Sequence, residues 1–325
     1  MSAEQPLAPA AGPGEPLVSV LMVLWNCAPE LPACFASLAR EAERVPLEVI
    51  CVDNGSADAS AAVARQHDAL ILEMGMNAGF PVAVNAALAK ASAPYVLLLN
   101  PDVELGDGCL SRCLDELTAD PTVGLVGCNL RRTDGAPDWA AARRFRSLSA
   151  VALETFGLTR LSLSLDLQYM PRWSRTTSRD VDCVNGAFML LSTELLRDLG
   201  GLDESVFMYL EDQELCRQLW ARGLRVRFVA DAPALHIGGA STLRADPHRK
   251  TLAYLHRTDA DIELIARRRG GAARLAAVAL FGLRALFGYG VGAFTGRPDL
   301  RWKYRTALRW LSRQLVHRQP PPPIP

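Results

Sequence analysis

Residues 95–102 read Tyr95-Val96-Leu97-Leu98-Leu99-Asn100-Pro101-Asp102. An apolar run this short, closed by turn residues, fits a strand buried on both faces, as in a parallel sheet. Pro101 stops the ladder, and Asp102 is left at the strand tip. Two roles suit an acid there. It can close a tight turn. It can also hold a hard divalent cation, Mg2+ or Mn2+, which prefers oxygen ligands and bridges diphosphate oxygens.

Towards the N-terminus the same pattern recurs. Leu17–Leu24 is an apolar run ending in Trp25-Asn26, and Leu47–Val52 is another, ending in Asp53-Asn54-Gly55-Ser56. Ala69–Glu73 is a shorter strand. Leu31–Leu38 has helical spacing, Asp58 is placed to cap an Ala-rich helix, and Phe80–Lys90 is a third helical stretch. This alternation predicts an α/β fold, a mainly parallel sheet flanked by helices, with ligands at the carboxyl edge of the strands. Asp53 at such an edge can accept a hydrogen bond from a base N–H or a ribose hydroxyl, or simply open a strand-to-helix turn.

Towards the C-terminus the pattern predicts a helix at about 107–118 and a strand at Val123–Val126. An Arg-rich polar loop follows at Arg131–Arg146, then leucines at helical intervals over 147–170. A strand is expected over Val181–Leu191, running through Asn185-Gly186, and a helix over 193–199 stopped by Gly200-Gly201. An aromatic-rich strand, Phe207–Leu210, precedes Glu211-Asp212-Gln213-Glu214 and a helix to about 222. Acids at a helix start suit its dipole. The same setting keeps a carboxylate ionised, as a general base requires. Val226–Val229 is the last strand, and His236 is expected in a loop over Ala234–Ser241. Imidazole can be structural or a metal ligand, and the amides of Gly238-Gly239 can cradle phosphate.

Of the 325 residues, half are apolar and 22% are charged, enough to bury a sizeable core. The net charge of zero hides a split. Residues 265–325 hold 12 Lys and Arg against the single acid Asp299, a surplus of 11 positive charges balanced by the rest of the chain. A basic appendix of this kind suits an anionic partner, membrane lipid or nucleic acid. No recognised nucleic-acid module is present, so the membrane surface is preferred over a soluble helical cap on the catalytic domain, and no nucleic acid is expected. Leu275–Phe294 is long enough to span a bilayer, but Arg284 and four glycines favour a helix lying in the interface or a re-entrant hairpin. Tyr304, Leu308, Leu311 and Leu315 mark one face of a further helix over 301–316. Residues 1–16 lack the positive and apolar regions of a signal peptide and are expected to be disordered. The eight cysteines form no CxxC pair, which suits a reduced protein without disulfides or a zinc site. The expected division is 17–245 catalytic, 246–318 helical and basic, and 319–325 a Pro-rich tail.

Taken in order, these motifs resemble the inverting nucleotide-sugar glycosyltransferases of the GT-A fold, family 2, and within them the rhamnosyltransferase-like subgroup. The matching pieces are Trp25-Asn26, Asp53 to Asp58, Asn77-Ala78-Gly79-Phe80 with Asn85, and Leu97 to Val103. Further on they are Asn185-Gly186-Ala187, Gly201 to Glu204, Phe207 to Asp212, and His236 with Gly238, Gly239 and Ser241. The resemblance covers about 17–245. It implies a donor pocket involving Trp25, Asn26, Asp53, Asn54, Asn77, Gly79, Asn85 and Asn100, with Asp53 contacting the base. It implies a divalent metal at Asp102, the last acid of an Asp-x-Asp motif whose first acid is here Asn100, with His236 as second ligand. Asp212 is the implied base, with Glu211 as second choice, and Asn185, Gly186 and Ala187 lie on the acceptor side. The implied reaction moves a sugar, L-rhamnose from dTDP-L-rhamnose or another dTDP- or UDP-sugar, to a hydroxyl of a glycan or polyprenyl-linked acceptor, with inversion. The place implied is the cytoplasmic face of the cell membrane, in cell-envelope polysaccharide synthesis. A non-catalytic sugar-nucleotide binder shares the same motifs. A nicotinamide oxidoreductase is disfavoured because no Gly-x-Gly-x-x-Gly follows the first strand, and a processive synthase because no Gln-x-x-Arg-Trp follows Glu211-Asp212.

Overall fold

The computed structural model describes residues 14–160, 168–169, 173–238, 247–315, 320–322 and 324. The chain divides into two compact units. The first is Met1–Arg143, Trp173–Phe207 and Glu211–Ser241; the second is Arg144–Arg172, Met208–Leu210 and Thr242–Pro325.

The first unit starts with β1 (Val18–Leu24), α1 (Leu31–Ala42), β2 (Leu47–Asp53), α2 (Ser60–Arg65), β3 (Leu70–Glu73), α3 (Phe80–Leu88) and β4 (Tyr95–Leu99). It continues with β5 (Val103–Leu105), α4 (Cys109–Ala119), β6 (Val123–Arg131) and β7 (Ala142–Arg143). After the insertion of second-unit residues come β8 (Arg179–Asp180), β9 (Cys183–Val184), β10 (Phe188–Ser192), α6 (Thr193–Asp198), α7 (Glu211–Ala221) and β11 (Arg225–His236). The main sheet has the order β3-β2-β1-β4-β10-β6-β11-β5, with β8 beside β11. β3, β2, β1 and β4 are parallel, which brings Leu24, Asp53 and Glu73 level at one edge. All five residues of β4 are buried, as its uninterrupted apolar sequence requires.

Four local expectations change. The strand expected over Val181–Leu191 breaks into β9 and β10, and β10 runs antiparallel between β4 and β6. Asn185 causes the break: its side-chain oxygen accepts the Ala187 N–H at 3.0 Å and its carbonyl the Phe188 N–H at 3.2 Å, closing a turn. His236 is not in a loop. It is the last residue of β11, held by antiparallel pairing with Val103 of β5. Phe207–Leu210 form bends rather than a strand, with Tyr209 at φ +75°. Asp58 is not the cap of α2, which begins after Ala59; its carboxylate takes the N–H groups of Ser60 and Ala28, each at 3.0 Å. All eight cysteines are buried and reduced.

The second unit holds α5 (Leu148–Thr155), α8 (Pro247–Arg269), α9 (Gly271–Phe294) and α10 (Pro298–Gln314). Ser147 caps α5 by accepting the Ala150 N–H at 3.2 Å. Arg146 is the ionic centre. It pairs with both oxygens of Glu154, with Asp261 at 3.1 Å and with the Gln168 side chain at 2.8 Å. Arg284 of α9 reaches Glu154 at 3.0 Å. Arg274 binds the Gln314 side chain at 2.7 Å and Glu263 at 3.5 Å. Both cationic residues of α9 are therefore paired within this unit, Arg274 largely covered and Arg284 partly exposed. Leu311 is buried as expected on the face of α10, whereas Leu315 lies beyond the helix and is exposed. The expected disordered start falls largely outside the described residues, as do most of residues 161–172 and Gly239 to Ser241.

Burial pushes the Glu154 carboxyl up, but Arg146 and Arg284 outweigh it and hold it below the ordinary value. A depressed folded-state carboxyl contributes stability above its unfolded value near 4.5, lost as pH falls through the folded value. Glu154→Gln is therefore expected to lower stability at neutral pH by about 1–3 kcal/mol, less than a fully buried pair because Glu154 is partly exposed. Urea unfolding at pH 7 and at successively lower pH checks this: the gap between wild type and variant should close on acidification.

Candidate active site

At the level edge of β1, β2 and β3, side chains tie one loop to the next. The Asn54 N–H is held by the Leu24 carbonyl at 2.9 Å, and the Asn26 side chain accepts the Ala57 N–H at 2.8 Å. Asn26 has φ +51°, a left-handed conformation that Asn tolerates better than most residues. Asn54 is buried. Its oxygen accepts the Ala78 N–H at 2.9 Å and its amide donates to Asn77 at 3.0 Å. Asn77 in turn accepts the Gly79 N–H at 3.2 Å. Asn54 and Asn77 thus clasp two loops together. Gly55 sits inside the clasp at φ +79°, where a Cβ would lie 2.8 Å from the Met76 backbone. Asn85 clamps a more distant turn, accepting the Leu202 N–H at 2.8 Å and donating to the Leu202 carbonyl at 2.9 Å and to Glu204 at 2.8 Å. Gly201 packs on it so closely that a Cβ would fall 2.4 Å from the Asn85 oxygen. Gly79 packs on Phe207, whose carbonyl accepts the Phe80 N–H at 2.9 Å. These side chains shape the edge. Trp25 and the Asp53 carboxylate remain half-buried beside it, with one Asp53 oxygen accepting the Ser56 N–H at 3.1 Å.

The second group forms where β4, β5 and β11 meet. Asp102 is buried in the turn between β4 and β5, and its carbonyl accepts the Ile237 N–H at 3.1 Å. The β5–β11 register then sets His236 beside it, with Nε2 3.6 Å from the Asp102 Oδ1. The other ring nitrogen, Nδ1, lies 3.1 Å from Asp138 Oδ2. Asp138 also caps the 3₁₀ turn Trp139–Ala141 by accepting the Ala140 N–H at 2.9 Å. Burial alone would lower the His236 imidazole, but Asp138 and Asp102 raise it above its ordinary value. Burial pushes the Asp138 carboxyl up, and His236, the Ala140 N–H and Arg143 together hold it below the usual range.

This arrangement fits a divalent cation. A proton on Nδ1 donated to Asp138 turns the Nε2 lone pair towards Asp102, the orientation that outer carboxylates impose on metal-binding histidines. The 3.6 Å gap exceeds a hydrogen bond, yet both atoms can reach one ion at about 2.1 Å. Among the described residues no three His, Cys, Asp or Glu side chains converge on one point. Two protein ligands are enough for an ion that takes its other oxygens from phosphate and water.

The third group surrounds Asp212, buried in the first turn of α7. One carboxylate oxygen accepts from Arg143 and from the Gly186 N–H, the latter at 3.3 Å; the other accepts the Gln213 N–H at 2.7 Å. Glu211 is adjacent and half-buried, while Glu214 is buried and paired with Arg217 at 2.6 Å. The second and third groups are tied by backbone. The Asn100 N–H donates to the Ala187 carbonyl at 3.0 Å, and the Asn185 N–H to the Ala141 carbonyl at 3.3 Å. The structure therefore joins Asn100, Asp102 and His236 to Asn185, Gly186, Ala187 and Asp212 through one connected set of contacts. Two members escaped the sequence reading. Asp138 carries no local signal beyond a turn cap, and its partner lies 98 positions away. Arg143 was one arginine among several in a stretch expected to be a loop.

The family described as glycosyl transferase family 2 matches residues 19–200. The N-acetylglucosaminyl-diphospho-decaprenol L-rhamnosyltransferase of Mycobacterium tuberculosis is 30% identical over 260 residues, covering 74% of this chain and 84% of that protein. Rhamnosyltransferase WbbL of Escherichia coli is 26% identical over 146 residues, covering 45% and 53%. Among solved structures, a mannosyltransferase from Pyrobaculum calidifontis in complex with GDP-Man and Mn2+ shares the fold at a TM-score of 0.55 and 19% identity, over 96% of this chain and 90% of that one.

The clasp itself can be tested. Asn54→Ala removes the acceptor of the half-buried Ala78 N–H and the donor to Asn77. It is expected to cost about 1–3 kcal/mol in urea unfolding, with Asn77→Ala costing less because its partner Asn54 keeps the Ala78 bond.

Proposed function

The chain belongs to glycosyl transferase family 2, and we propose that it transfers L-rhamnose from dTDP-L-rhamnose to a hydroxyl of a polyprenyl-diphosphate-linked glycan in cell-envelope polysaccharide synthesis. The observation that carries the reading is the buried Asp212 at the start of α7, tied through Gly186 and Ala187 to the turn that bears Asp102. Similarity to a decaprenol-linked L-rhamnosyltransferase supports both the sugar and the acceptor class. The reaction then takes place at the cytoplasmic face of the membrane, where such an acceptor is in reach.

The chemistry is a single in-line displacement with inversion. Asp212 takes the proton from the acceptor hydroxyl while that oxygen forms a bond to the anomeric carbon. The bond from that carbon to the diphosphate breaks, and the nucleoside diphosphate carries away the electron pair. The Gly186 N–H and Arg143 hold the Asp212 carboxylate in place before the proton arrives. Glu211 is the second choice for this role. Asn185, Gly186 and Ala187 border the acceptor side. Asp53 meets the base or ribose, with Trp25, Asn26 and Asn100 lining the donor and Asn54, Asn77, Gly79 and Asn85 fixing its loops. Asp102 and His236 would hold Mg2+ or Mn2+, which when bound offsets charge on the diphosphate. Asp138 fixes the His236 ring for that purpose.

Two measurements test this. Asp212→Asn should lose roughly 10²–10⁴-fold in turnover with donor affinity retained; near-normal turnover would remove Asp212 from the role. Asp138→Asn should weaken Mn2+ binding about 10–100-fold in an electron paramagnetic resonance titration, without substrate present. Calorimetry with a panel of nucleotide sugars separates the donor from the reaction class: tighter binding of another UDP- or dTDP-sugar would replace rhamnose and leave the displacement standing.

A further inference from the structure

We propose that the outward face of α9 lies flat on an anionic lipid surface and docks the protein there. The helix has 24 residues, about 36 Å in length. Its inner side packs within the second unit through Ala277, Val278, Phe281 and Ala285, all buried. Its outer side exposes Leu275, Leu283, Leu286, Phe287, Val291 and Phe294, with Phe287 67% and Phe294 93% accessible. The helix carries just two charged side chains, Arg274 and Arg284, and both are bound to partners in this unit, Gln314 with Glu263 and Glu154 respectively. Arg274 is largely covered, and Arg284, 37% accessible, lies at the flank of that strip and is paired with Glu154. A strip of that length is larger than the scattered apolar residues of an ordinary surface and marks a site of interaction.

The charge pattern selects the occupant. Exposed Arg268 and Arg269 immediately precede the helix, and exposed Arg301 follows it, while Arg297 is paired with Asp299 at 2.7 Å. Exposed Arg305, Arg309 and Arg313 continue along α10. An apolar face bracketed by arginines is the pattern of a helix buried to the level of the acyl boundary beside anionic headgroups. A second copy fits poorly. Two-fold pairing of antiparallel α9 helices would set the arginines at one end against those at the other. A span fits poorly as well, because one whole side of α9 is covered by protein and Arg284 would be torn from Glu154. The surface serves a polyprenyl-linked acceptor, but the inference does not depend on which sugar is moved.

The full-length protein is floated with vesicles of phosphatidylcholine alone and with phosphatidylglycerol added, at low and high salt. Binding is expected to the anionic vesicles, weakened at high salt, and released by alkaline carbonate. The double variant L286E/F287E should bind at least tenfold less while melting like wild type, since both positions are exposed. R301E/R305E should lose binding to anionic vesicles selectively. Three results would each overturn the proposal: no wild-type binding at low salt, retention after carbonate, or a wild-type dimer in light scattering that L286E/F287E converts to monomer.

Discussion

One backbone hydrogen bond, from the Asn100 N–H to the Ala187 carbonyl, joins the two halves of the site. On one side of it Pro101 and Asp102 form the turn that faces His236. On the other side Asn185 and Gly186 form the turn that faces Asp212. The bond exists because β10 runs antiparallel beside β4, so the turn entering β10 meets the turn leaving β4. A parallel strand in that place would enter the sheet at its opposite edge and leave Asp102 without a neighbour from this part of the chain.

Acids that are buried or half-buried need compensation. The site supplies it locally. Asp212 has a guanidinium, two backbone N–H groups and a helix N-terminus. Asp138 has the His236 ring and a cap. Asp102 faces the remaining nitrogen of that ring across a gap wider than a hydrogen bond. The same logic explains why the loops nearby are built from asparagine: its amide can accept from a backbone N–H and donate at the same time without adding charge, as Asn54 and Asn85 both do.

The second unit solves a different problem. Its ionic groups, Arg146, Glu154, Asp261 and Arg284, lie between helices, while leucine and phenylalanine occupy the outside of α9. That inverts the usual distribution for a helix packed on one side and facing water on the other. The inversion is stable because each inward arginine has a carboxylate or amide partner.

The sequence alone determined the sheet-and-helix alternation and the acids at strand tips, because apolar runs such as Tyr95–Leu99 can be buried only as core strands and Pro101 must end one. It also singled out Asp102, Asp212 and His236 as candidates for the site. Strand direction was beyond it: Phe188–Ser192 reads the same whether its neighbours run with it or against it, since periodicity carries no polarity. The placement of His236 on a strand, and the parts played by Asp138 and Arg143, were decided only by tertiary structure. Each depends on a partner about 69 to 133 positions away in the chain, and no local pattern encodes a contact made across the fold.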